Sequence, residues 1–231
     1  MLLFSILTAA VAPGISLLAY LYLKDRYESE PIHMVMRMFV LGVLIVIPIV
    51  VIQRGLELWL GDQPVVFSFV ESAGIEELVK WFVLYHMIYN HTEFDEPYDG
   101  IVYAASISLG FATLENVMYA VLSPATFGTL MMRALLPVSG HALFGVAMGY
   151  YLGKAKFAPS AKSRKYLAIA FALPWLLHGF YDYIMISYDT KWMWIIVPFM
   201  VILWSWGLHK MKRASSRSPF RFLVPEDEVK Y

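Results

Sequence analysis

The sequence contains no cysteine. Disulfides, thiolate nucleophiles and cysteine-held zinc are therefore excluded. Charge is scarce as well: Asp, Glu, Lys and Arg make up 16% of the 231 residues, against about 25% in an ordinary soluble protein. Acidic and basic residues cancel at 18 each, and no basic tract suits a nucleic acid. Positive charge is also missing from the N-terminus. Residues 1–23 are apolar from the second position and have no basic n-region, so they are expected to remain as a first span rather than leave as a signal peptide.

What the chain has is apolar surface in long blocks. Hydrophobic residues make up 59% of it and fall at about 2–23, 35–52, 65–89, 99–122, 127–152, 166–187 and 192–208. A helix crossing the hydrocarbon core needs about 20 apolar residues. The expectation is an all-α protein, a polytopic transmembrane helical bundle of about seven spans. Residues 1–209 would form the membrane domain and residues 210–231 a polar cytosolic tail. Fifteen Tyr and seven Trp suit a chain with many membrane–water crossings. The stretch 53–64, with Leu56, Leu58, Trp59 and Leu60 among polar residues, reads as an interfacial segment on the outer face.

Basic residues set the orientation. Fourteen of the 18 lie in the segment after the first block, in the 153–165 connection and in the tail, all on one side of a seven-span protein. This predicts the N-terminus outside and the C-terminus in the cytosol, in a multi-pass cell-membrane protein. The 90–98 connection would be cytosolic yet has no Lys or Arg. Acidic residues count little in this rule, so the topology stands.

Ionisable groups within the blocks are the anomaly. Glu76, Glu77 and Lys80 lie in the third block, and a charge at the centre of a bilayer helix costs roughly 2.5–3.5 kcal/mol. Lys80 stands i,i+4 from Glu76 and i,i+3 from Glu77, so it can pair with either. The two glutamates point about 100° apart, so one can face a cavity while the other lines its wall. The fourth block carries Glu115 and Asn116, the fifth Arg133 and His141, the sixth His178 and Asp182. His178 and Asp182 share a helix face, where the carboxylate can fix the imidazole tautomer. Taken singly, each has a bland reading as an interhelical hydrogen bond, a snorkelling arginine or a core histidine. Taken together, Glu76, Glu77, Lys80, Glu115, His141, His178 and Asp182 must converge on one polar interior site, from mid-membrane toward the outer face.

Glu76-Glu77-x-x-Lys80, Phe111-x-x-x-Glu115 and His178-x-x-x-Asp182 resemble the three signature motifs of the PrsW intramembrane proteases, relatives of the CAAX prenyl endopeptidases and bacteriocin-processing enzymes. His141 stands where that family has a further histidine. The resemblance implies peptide-bond hydrolysis on a single-span membrane protein, an anti-sigma factor of the RsiW type, with a first cut on the extracytoplasmic side. Under that reading Glu76 or Glu77 is the general base. His178, oriented by Asp182, stabilises the oxyanion or holds the water, and Lys80 tunes the glutamates. Glu115, Asn116, His141 and Arg133 support them. No serine is paired with an evident base, which disfavours a covalent route. Zinc is the open question: His141 and His178 with Glu115 or Asp182 could hold it. No His-Glu-x-x-His helix is present, which tips the reading slightly toward metal-free catalysis. The rival class is a proton- or ion-coupled transporter using the same groups as a relay.

Overall fold

The computed structural model describes residues 2–123 and 126–222. Among them every regular element is helical. The α-helices are α1 (Leu2–Leu23), α2 (Ile32–Leu60), α3 (Pro64–Val66), α4 (Ala73–Ile88), α5 (Asp99–Leu122), α6 (Phe127–Arg133), α7 (Ser139–Lys156), α8 (Ser160–Ser187) and α9 (Trp192–Ser215). Two π-helical segments, Phe67–Ser72 and Ala134–Val138, join α3 to α4 and α6 to α7. Among the described residues six helices are long and apolar enough to cross a membrane, with α6 and α7 counted as one. The remaining apolar block, the third (65–89), is divided by its π-helical turn. The all-helical membrane bundle expected from the blocks is thus present.

Two boundaries differ from expectation. The stretch 53–64 is not a separate interfacial segment, because α2 runs through Pro48 and continues to Leu60. Helix is the backbone state that satisfies its own N–H groups in lipid, and residues 53–60 include no proline to end it. It stops at Gly61, the one described residue with positive φ (80°). At the other end of the chain, α9 extends into the expected tail as far as Ser215, burying Met211 and Ala214. A short 3-10 turn follows at Pro219–Phe222, and the tail beyond residue 222 lies outside the described residues.

Helix α5 is the axis of the bundle. It is buried nearly all round from Asp99 to Thr113, as a helix apolar on every face should be. Its partners α2 and α7 approach closely because glycines face it. A Cβ on Gly42 would collide with the Ile107 carbonyl, and one on Gly149 with that of Gly100. Small residues at such crossings let helix backbones pack where lipid supplies no hydrophobic drive.

The end of the bundle bearing the 24–31 and 89–98 connections buries four acids, Asp25, Glu30, Glu96 and Asp99. Asp99 Oδ2 accepts the backbone N–H groups of Asp95 (2.9 Å) and Glu96 (2.7 Å), pinning the 90–98 loop to the start of α5. The Tyr103 hydroxyl donates to the Glu30 carboxylate. Burial, offset in part by that hydroxyl, pushes the Glu30 carboxyl up to about 7. Burial likewise raises Glu96. In the 90–98 connection, which is poor in basic residues, Glu96 is thus buried into the fold while Glu93 and Asp95 stay exposed.

Candidate active site

The expected groups meet between α2, α4, α5, α7 and α8. Lys80 is fully buried, and its ammonium is the hub. Nζ donates to Glu76 Oε2 (3.2 Å) and Glu77 Oε1 (2.9 Å) and contacts His141 Nδ1 at 3.3 Å. An ammonium has three N–H groups and no acceptor, so all three are used. The Phe111 ring covers it at 4.1 Å, a cation–π contact favoured by desolvation. This gives the aromatic in Phe111-x-x-x-Glu115 a reason: one turn presents a face to Lys80, the next presents a carboxylate to His141.

Each histidine is held at both nitrogens. Because Lys80 can only donate, His141 Nδ1 accepts. Its Nε2 then carries the hydrogen given to Glu115 Oε2 at 2.9 Å. His178 Nδ1 lies 3.0 Å from Glu77 Oε1, and Nε2 lies 3.5 Å from Asp182 Oδ2. Phe144 stacks on the His178 ring, centroids 4.9 Å apart. Asp182 in turn accepts from the Ser72 hydroxyl at 2.6 Å.

Both π-helical turns serve this geometry, as such turns commonly do at functional sites. In Phe67–Ser72 the widened turn leaves the Phe69 carbonyl free for the Trp175 indole N–H (2.6 Å), tying α8 to the start of α4, and turns Ser72 toward Asp182. In Ala134–Val138 the cause is Pro137, which cannot donate to the helix ladder. Pro137 lines the cavity.

That cavity, about 290 Å³, is lined by Ser72, Glu76, Glu115, Arg133, His141, His178 and Asp182 together with Phe67, Pro137, Phe144 and Tyr181. Glu76 reaches it, whereas Glu77 lies behind, fully buried. Asn116 does not line it. The amide donates to the Ala10 carbonyl (2.8 Å) and accepts from Arg133 Nε (2.7 Å), so it braces α1 and Arg133. Sequence reasoning missed Gln53, whose Nε2 donates to Glu76 Oε1 at 3.2 Å, and Ser72. Neither carries a charge or a motif that would single it out.

Glu76, Glu77, His141 and His178 each place a donor atom within 4.8 Å of one another. Glu115 and Asp182, expected as ligands, stand one hydrogen bond further out, each against a histidine. Two imidazoles with carboxylates are zinc-type donors, and Glu77 Oε2 is buried without a hydrogen-bond partner. In placement, however, the Lys80 ammonium already engages Glu76, Glu77 and His141. Zinc fits these donors only if Lys80 withdraws.

The sequence matches the PrsW family intramembrane metalloproteases across residues 30–206. Its curated relatives include a Protease PrsW of Geobacillus kaustophilus, 52% identical over 91% of this chain and 92% of that protein. One of Bacillus subtilis is 50% identical over 92% and 97%, and one of Clostridioides difficile 32% over 90% and 91%. The chain belongs to the PrsW family. It is a membrane-embedded, multi-pass peptidase, and the transporter reading of the buried relay groups falls away. No solved structure matches the chain.

Proposed function

We propose that the protein hydrolyses a peptide bond in a single-span membrane protein with water activated by Glu76. The observation behind this choice is that Glu76 lines the cavity while Glu77 is enclosed behind it. Glu76 takes a proton from water as the oxygen attacks the scissile carbonyl, then passes that proton to the leaving amine nitrogen. Gln53 and Lys80 each hold one Glu76 oxygen, so the carboxylate is aimed before substrate arrives. His178, anchored through Nδ1 on Glu77, gives up its long 3.5 Å Nε2 contact with Asp182 and donates from Nε2 to the developing oxyanion. Glu77 is a positioning group: it anchors both Lys80 and His178.

A helix with side chains is about 10–12 Å across, too broad for a 290 Å³ cavity, and its carbonyls are engaged in the backbone ladder. The substrate segment must unwind locally to present one peptide bond. Glu115 is seven residues from the end of α5 and sixteen from its start, so the site lies off-centre, toward the end away from the basic connections. With the N-terminus outside and the C-terminus cytosolic, that is the outer half of the membrane. This position suits a first, extracytoplasmic-side cut in regulated intramembrane proteolysis, with an anti-sigma factor of the RsiW type as the substrate class.

A second reading follows from the family's description as metalloproteases. If Lys80 withdrew, Glu76, His141 and His178 would hold zinc, which supplies Lewis-acid polarisation and a more acidic water. The deciding test is co-expression of Glu76→Gln with a tagged single-span candidate substrate. Loss of truncation with the enzyme still folded is expected; unchanged truncation overturns Glu76 as the base.

A further inference from the structure

A second polar cluster, on the far side of the bundle from the catalytic cavity, takes no part in hydrolysis. Asp25 from the α1–α2 connection, Glu96 from the α4–α5 connection and Asp99 at the start of α5 each bring one carboxylate oxygen within 4.8 Å of the others. All three are at most 1% exposed. Acids at such density are common on surfaces, where water and salt neutralise them. Here water is shut out, and among the described residues the fold supplies Glu96 and Asp99 Oδ1 with no hydrogen-bond donor in its place.

The unmet bonding capacity is specific. Neither Glu96 oxygen has a hydrogen-bond donor, and Asp99 Oδ1 has none either. The nearest polar companions of Glu96 are Asp25 and the Ser218 hydroxyl, and neither meets hydrogen-bond geometry. Among the described residues Glu30, Glu96 and Asp99 make no ion pair. Lys156, a neighbouring basic group, points its Nζ at the His91 carbonyl (2.9 Å) and over the Phe94 ring (4.7 Å). Asp99 Oδ2 is committed to two backbone N–H groups, which turns Oδ1 inward as the free donor. A buried charge costs several kcal/mol unless it is paired or bound to a metal.

We propose that Asp25, Glu96 and Asp99 form a structural site for a hard divalent cation of the Mg²⁺ or Ca²⁺ class. The donors are all oxygen, with no imidazole or sulfur, which suits hard cations rather than zinc. One ion bridges two connections and the N-terminus of the central helix α5, about 24 Å along that helix from Glu115. It thereby fastens α1, α2 and α4 to the axis that presents Phe111 and Glu115 to the active site. The site is distinct from the catalytic cluster in donors, in place and in preferred metal.

The test uses the full-length protein purified in detergent and stripped with chelator. Mg²⁺, Ca²⁺ or Mn²⁺ is then titrated, with bound Mn²⁺ counted by electron paramagnetic resonance and unfolding followed by tryptophan fluorescence. One equivalent of Mn²⁺ should bind, displaced by Mg²⁺ or Ca²⁺, and saturating cation should raise Tm by roughly 5 °C. Glu96→Gln and Asp99→Asn should each weaken binding at least tenfold, while His141→Ala and His178→Ala leave it intact. Absence of a bound equivalent in the wild-type protein overturns the proposal, even if both variants fail to fold. So does binding that survives Glu96→Gln and Asp99→Asn but is lost in the histidine variants. Stability that rises on acidification with no response to cations also overturns it, because protons then neutralise the acids.

Discussion

The two buried acid clusters of this protein lie at opposite ends of α5 and are neutralised on opposite plans. Around Lys80 the fold carries its own counter-charge: each ammonium N–H has an acceptor, His178 bridges Glu77 and Asp182, and His141 links Lys80 to Glu115. Around Asp99 the acids face one another: backbone N–H groups reach Asp99 and a tyrosine hydroxyl reaches Glu30, while among the described residues Glu96 has no hydrogen-bond donor. The first cluster can remain dry and preorganised until substrate and water enter. In the second, the orphaned oxygens of Glu96 and Asp99 suit a proton or a cation. Internal compensation suits chemistry, because the groups that neutralise also aim. External compensation suits a clasp whose occupancy follows the medium.

The comparison breaks most visibly at Lys80. Lys80→Ala leaves two buried glutamates without their cation, and removing one partner of a buried pair costs about 3–5 kcal/mol. The variant should fail to accumulate or should unfold well below the wild type, as read by thermal unfolding in detergent. Next come the two glutamates. Glu76→Gln should lower cleavage by about 10²–10⁴-fold with little change in Tm. Glu77→Gln should lower cleavage and Tm together, because it releases both Lys80 and His178. Equal Tm losses in the two would dissolve the distinction between them.

Chelation separates the plans chemically. With Lys80 holding the donors, chelator-treated enzyme resupplied with Mg²⁺ alone should cleave a tagged single-span substrate at an unchanged rate. Loss of activity restored by one equivalent of zinc would show that the ammonium yields its place to a metal. Gln53→Ala, which frees one oxygen of Glu76, should lower cleavage by roughly tenfold, on the scale of one hydrogen bond to a charged group, and leave Tm nearly unchanged.

The smallest effect is at Glu30. Its carboxyl is raised to about 7 by burial, in the presence of Tyr103, Asp99, Asp95 and Glu93. A raised folded-state value means stability is fully present below the ordinary carboxylate range and is lost as pH climbs through 7. In metal-free buffer, wild-type Tm should therefore fall between pH 5 and pH 8. Glu30→Gln should flatten that slope, as thermal scans across the range would show.

The chain itself determined the bundle and the buried ionisable groups of the candidate active site. Apolar blocks near 20 residues are legible one by one, because the bilayer sets a length and only self-satisfied backbones cross it. Charges inside such blocks stand out by their cost, so Glu76, Glu77, Lys80, Glu115, His141, His178 and Asp182 could be gathered before any coordinates. Only the tertiary structure decided which glutamate meets the cavity, why Phe111 belongs to a motif, and that Gln53 and Ser72 serve it. It also decided that Asp25, Glu96 and Asp99, from two polar connections and the first residue of α5, come within 4.8 Å of one another. The physical reason is range: helix periodicity relates residues three or four apart, whereas these contacts join positions from 23 (Gln53–Glu76) to 110 (Ser72–Asp182) residues apart, and polar side chains in loops carry no cost until packing removes their water.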